Sequence, residues 1–269
     1  DLTVDGSFVT GGGIAALMIT SGYAPWLATL TAFAGGLAAG AVTGLLHTKG
    51  RINPLLSGIL MMIALYSINL RIMGKPNIGL LRQPTVFDHM DPLLMGIIII
   101  VIVKILLDLF FHTDYGLALR ATGDNPRMIR SFGANTDNTT ILGVSISNGL
   151  VALSGALIAQ QSAFADISMG IGMIVIGLAS VIIGEAVFGA RTVIQATIAV
   201  ILGSIVYRIV VTLALRVDWL ETSDMKFITA FLVVIALVVP TVRRALKERN
   251  IARRRAAEMV KSASTGGER

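Results

Sequence analysis

The sequence predicts an all-α, polytopic integral membrane protein, and three observations predict it. Hydrophobic residues make up 54% of the chain and charged residues 14%, and mean hydropathy is +0.79, far from soluble averages. Apolar runs long enough to cross a hydrocarbon core of about 30 Å recur along nearly the whole length. No stretch shows the period-2 alternation of strands, and irregular backbone is not viable against lipid, so the spans are helices.

About eight hydrophobic segments follow in order: 7–22, 26–47, 54–73, 92–112, 138–163, 171–189, 192–215 and 225–240. They form one transmembrane domain, 1–240, followed by a basic tail, 241–269. Cysteine is absent, which excludes disulfides and thiolate metal sites.

The first segment is short, contains Gly11, Gly12 and Gly13, and follows the polar opening D-L-T-V-D-G-S. It reads as a half-helix that begins near the bilayer midplane, with a further span before it. Carboxylates at that depth, Asp1 and Asp5, need burial in protein or nearby water. Broken helices line pathways in transporters, which makes Asp1, Asp5 and Ser7 candidate path residues. The alternative is a short tilted helix with Asp5 or Ser7 as an ordinary N-cap.

Segment 26–47 carries Gly36, Gly40 and Gly44 as one G-x-x-x-G-x-x-x-G stripe. Such a stripe lets a second helix approach closely, either within the chain or at a dimer seam. On 92–112, Lys104 and Asp108 are spaced for a local i, i+4 pair.

The polar island 115–133 lies between two spans, and its punctuation predicts two short helices. Asp114 is positioned to cap the first, which ends at Gly123 in a left-handed C′ conformation. Asn125 caps the second, Pro126 occupies its first helical position, and Gly133 closes it. Met128, Ile129 and Phe132 share one face, with Arg127, Arg130 and Ser131 away from it. Arg120, Asp124 and Arg127 crowd the turn between the helices. Two capped amphipathic helices between spans offer a docking surface to a partner in the water.

Segment 138–163 is unusually polar, with Ser145, Ser147, Asn148, Ser154, Gln160 and Gln161. Asn148, deep in the span, is either an interhelical hydrogen-bonding group or a candidate path residue. Gln160 and Gln161 fall near the span's end, where solvent contact accounts for them. Glu185 and Arg191 flank the end of 171–189 and form a candidate second contact for the same partner. Arg208, inside 192–215, must face a partner helix, a water-filled cavity or the interface.

Orientation follows from the basic residues. One set of loops holds Lys49, Arg51, Arg120, Arg127, Arg130 and Arg191, plus nine basic residues in the tail. The other holds Arg71, Lys75, Arg82, Arg216 and Lys226. The positive-inside rule puts segment 115–133 and the C-terminus in the cytoplasm. The basic tail suits anionic lipid headgroups or the aqueous partner, and membrane electrostatics explains the charge better than nucleic acid.

The block G-L-A-L-R-A-T-G-D-N-P at 116–126, with Gly133 after it, resembles the cytoplasmic loop of bacterial ABC importer permeases of the branched-chain amino acid and ribose type. D-L-T-V-D-G-S at the start and I-V-I-G-L-A-S-V-I-I-G-E-A-V-F-G at 174–189 resemble further elements of that family in order. Gly184-Glu185-Ala186 departs from the paired glycines usual there, and is similar to a branch of predicted amino-acid importers, some linked to tryptophan. The resemblance implies a non-enzymatic permease of the bacterial inner membrane, working as a homodimeric pair. It further implies a cytoplasmic ABC ATPase that binds ATP and Mg, and an extracytoplasmic solute-binding protein. Consistent with that division, the chain contains no G-x-x-x-x-G-K-[ST] phosphate loop, no H-E-x-x-H and no G-x-S-x-G. A secondary transporter with discontinuous helices is the competing class.

Overall fold

The computed structural model describes residues 1–88, 90–133, 135–190, 192–214 and Val234. Segment 225–240 apart from Val234, the tail, Arg191, Arg216 and Lys226 lie outside the described residues. The chain divides into two compact units, Asp1–Ile174 and Val175–Arg269.

In the first unit the helices are α1 (Thr3–Thr20), α2 (Pro25–Thr48), α3 (Pro54–Met73), α4 (Pro92–Phe111), α5 (Asp114–Asp124), α6 (Pro126–Ser131) and α7 (Thr136–Ser162). Their starts are chemically marked. Asn53, Asp91 and Asn135 each accept hydrogen bonds from first-turn N–H groups, and Pro25, Pro54 and Pro92 sit where a missing N–H is harmless. Four of these helices, α2, α3, α4 and α7, are long and apolar enough to cross a membrane.

The core is the packing of α1 against α2, α3 and α7, with α2 lying along α7. The glycine stripe on α2 is spent inside the chain. A Cβ on Gly40 would stand 2.4 Å from the Val144 carbonyl oxygen, and one on Gly36 would stand 2.4 Å from the Asn148 carbonyl oxygen. Gly44 faces the Ile141 backbone in the same way. The stripe is therefore an intrachain contact, since only glycine permits that approach. By contrast, α4 buries Met95 and leaves Leu93, Ile97, Ile105, Leu106 and Leu109 exposed. Lys104 and Asp108 pair with each other on α4.

Two short strands exist, β1 (Asn77–Gly79) and β2 (Phe164–Asp166), paired antiparallel with Ile78 opposite Ala165. Three residues each are too few to show an alternating pattern. Ala163, left-handed at φ 59°, turns the chain from α7 into β2, and Leu80 N–H donates to its carbonyl at 2.7 Å. The Asp166 carboxyl is held below the usual carboxylate range, chiefly by the Ser168 hydroxyl and then by the Ser168 N–H.

Gln160 departs from expectation. It is 2% exposed, accepts from Val86 N–H at 3.1 Å and donates to Thr29 Oγ1 at 2.9 Å. Burial behind residues 80–88 replaces the solvent contact expected at that end, whereas Gln161 is exposed.

In the second unit, α8 (Met173–Phe188, from Val175 onward) and α9 (Val193–Ala214) cross closely. A Cβ on Gly203 would lie 2.1 Å from the Ser180 carbonyl oxygen, and one on Gly184 would lie 2.1 Å from that of Ala199. Ala179, Tyr207 and Val211 form the small core of this unit. Arg208 is exposed on α9.

Candidate functional site: a docking helix pair and a buried polar cluster

The helix pair α5–α6 is built from local sequence signals, with two adjustments. Thr113, one residue before Asp114, caps α5 by accepting from Gly116 N–H at 3.3 Å. The helix runs through Gly123 to Asp124, so Gly123 is helical and not left-handed. The physical reason is that Asn125, extended at φ −152°, ends α5 and at once caps α6 by accepting from Met128 N–H at 3.2 Å. One residue serves both ends, which leaves no need for a glycine turn. Pro126 opens α6, and Gly133 leaves it at φ 85°.

The exposed chemistry of the pair is amphipathic. Phe132 is 78% exposed and Met128 51%, with Ile129 half-buried between them. Arg120, Gly123, Asp124, Asn125, Pro126 and Arg127 are all exposed around the turn. Large apolar side chains standing in the open beside charged ones are the composition of an interface anchor with a polar rim.

The pair is also fastened to α7, which sequence reasoning missed. Thr122 and Thr139 hydroxyls lie 3.0 Å apart. The Arg130 Nε donates to Thr136 Oγ1 at 2.7 Å, and its Nη2 lies 3.6 Å from Asp137 Oδ1. Leu119 packs against Gly143, where a Cβ would be 2.7 Å from Leu119 Cδ1. Partners 6 to 17 residues apart in different helices leave no local spacing to read. A cleft of about 440 Å³ lies beside this junction, lined by Thr48, Arg51, Arg130, Asn135, Thr136 and Asp137.

The second region gathers three of the four candidate path residues. Ser7 and Asn148 are both 0% exposed. The Ser7 hydroxyl donates to Asn148 Oδ1 at 2.7 Å, and Asn148 Nδ2 donates to Asp1 Oδ2 at 2.5 Å and to the Val144 carbonyl at 2.9 Å. Nearby, Thr10 donates to Asn69 Oδ1 at 2.8 Å, and Asn69 donates to the Gly6 carbonyl at 3.0 Å. Asp5 stands apart from this cluster: its two carboxylate oxygens accept from Gly172 N–H at 3.0 Å and Ile174 N–H at 2.9 Å. It thus caps the start of α8, a favourable place for an anion. Among the described residues no buried side-chain polar atom lacks a partner.

Glu185 is exposed on α8; Arg191, expected beside it, lies outside the described residues. No group of three or more His, Asp or Glu suited to a metal ion occurs among the described residues.

Comparison with known proteins identifies the family. The chain is 46% identical over 251 residues to a tyrosine transport system permease protein of Clostridioides difficile, covering 93% of this chain and 85% of that one. It is 36% identical to an uncharacterized protein of Rickettsia prowazekii, covering 88% and 86% respectively. More distant, at 28% identity, is an autoinducer 2 import system permease protein of Yersinia enterocolitica, with 91% and 68% covered. No solved structure matches it. A family model described as branched-chain amino acid transport system, permease component, matches residues 1–238. A predominantly helical membrane protein with an exposed helix pair between two of its spans, whose sequence matches that model over nearly its whole length, belongs to this permease family.

Proposed function

We propose that this chain is the membrane subunit of an ABC importer for an amino acid, driven by ATP hydrolysed on a separate cytoplasmic ATPase that also holds Mg. The observation that carries the proposal is the α5–α6 pair, with Phe132 and Met128 exposed and fastened to a membrane-buried helix. Exposed aromatic and thioether side chains lose water when a partner covers them, and such anchors dominate interface energies. The partner is the ATPase, which places segment 115–133 and the C-terminus on the cytoplasmic side of the bacterial inner membrane, as the basic loops favour. A second copy of the chain completes the pathway, and an extracytoplasmic solute-binding protein delivers the solute. Glu185 and Arg191 supply a second contact to the ATPase.

The substrate class is an amino acid with an aromatic side chain. Support comes from the tyrosine transport permease of Clostridioides difficile, similar over 93% of the chain. Asp1, Ser7 and Asn148 border the path when their cluster opens in another state of the cycle, and Asp5 lies at its edge.

The test is uptake of labelled L-tyrosine into cells expressing the chain with its ATPase and binding protein. Uptake abolished by a catalytically dead ATPase and insensitive to an uncoupler supports the proposal. Uptake that survives the dead ATPase but collapses with the uncoupler sinks it in favour of a secondary transporter.

A further inference from the structure

Among the described residues, the side-chain hydrogen bond and the ion pair that join α6 to α7 both come from Arg130. The backbone leaves α6 through Gly133, left-handed at φ 85°. The guanidinium instead bridges two successive residues at the start of α7, with Nε on the Thr136 hydroxyl and Nη2 facing the Asp137 carboxylate. Thr136 is 4% exposed, so the bond ends on a fixed, buried group. Arg130 itself is 65% exposed along its side chain and reaches inward from the docking helix. A planar fork held at two points resists rotation where a single contact would not.

α7 is arranged to pass a displacement on. Thr136, Thr139 and Gly143 follow at helical spacing and form the face fastened to α5 and α6. Ile141, Ser145, Asn148 and Ala152 form another face, in backbone contact with α2 at Gly36, Gly40 and Gly44. At about 1.5 Å per residue, Asn148 stands roughly 18 Å along the helix from Thr136. A rigid element with the docking ties on one face and the buried cluster on the other couples the two ends mechanically.

We infer that Arg130 is a positioning residue: it is the strut that carries movement of the docking helix α6 into α7, and so into the membrane-buried cluster. The inference rests on the proposed ATPase-driven transport. It concerns a residue turned away from the apolar docking face, so loss of the strut and loss of docking are separable.

The test uses the complete complex in proteoliposomes, with a mixture of labelled amino acids including L-tyrosine, and ATP hydrolysis measured in the same vesicles. Arg130→Ala is expected to leave the complex intact and hydrolysis within about twofold, while solute moved per ATP falls roughly tenfold, the scale of one lost charge-assisted hydrogen bond. Arg130→Lys keeps a cation opposite Asp137 without the fork and should restore part of the ratio. Thr136→Val, which removes the acceptor, should lower the ratio like Arg130→Ala and add little to it in the double variant. An unchanged solute-to-ATP ratio in Arg130→Ala overturns the strut. Loss of the ATPase from the complex overturns it as well, because Arg130 then belongs to the docking surface. A wild-type complex that moves none of the amino acids overturns the transport reading on which the strut depends.

Discussion

Phe132 is 78% exposed at the end of a six-residue helix, and an aromatic ring so placed has little to do for the fold itself. Removing it should therefore leave the permease stable and weaken what binds it. Phe132→Ala is expected to reduce affinity for the ATPase by about 2 kcal/mol, or roughly thirtyfold, with an unaltered melting curve. Gly96→Ala on α4 is the matched control, since a Cβ there meets open space and the residue is helical outside the pair; binding measured by surface capture should not change. Equal affinities for the two variants would remove the apolar anchor from the docking surface. Asn148 poses the opposite case, since every donor of its amide is engaged within the chain. If it borders the path, it must lose those partners during the cycle. Cysteines at Ser7 and Asn148 should then react with small water-soluble thiol reagents in one nucleotide state and resist them in another. A cysteine at Leu106, 59% exposed on a lipid-type face, should stay protected throughout. Uniform inertness at all three positions would assign Ser7 and Asn148 to helix packing alone.

Among the elements, the α2–α7 pair depends most on small side chains. The backbone of α7 lies where a Cβ on Gly40 would need to be, at 2.4 Å from one carbonyl oxygen and 2.7 Å from the Ser145 Cα. Gly40→Val should push the helices apart and cost roughly 1–3 kcal/mol or more, read as a lowered thermal midpoint in detergent. A midpoint unchanged by that substitution would mean that α2 and α7 do not meet there in the membrane. This contact was partly legible beforehand. The stripe Gly36, Gly40, Gly44 announces a close approach, yet nothing in it names the partner, because the facing Ile141 to Ala152 segment is 97 to 116 residues away in sequence. The described spans and the cap at Asn125 were readable because they rest on neighbours within four residues. The three-residue strands, the burial of Gln160 and the Thr122–Thr139 tie were not, since each depends on a partner that only the tertiary structure supplies.

At the scale of the molecule, the polar bonds of the buried cluster join residues far apart in sequence. Asn148 and Asp1 are 147 residues apart, and Ser7 reaches the same amide across 141. During synthesis the chain emerges in order, so α1, α2 and α3 enter the bilayer long before α7 exists. Until then Ser7 lacks its mate, the carboxylate of Asp1 lacks its amide donor, and the flat faces at Gly36, Gly40 and Gly44 have only lipid against them. α4 has no such dependence, because its one cation and one anion, Lys104 and Asp108, already satisfy each other on the same helix. It can partition alone and wait. The bundle can close only when residues from Thr136 onward have been made, and the docking helices, encoded just before them, reach their final place in the same event.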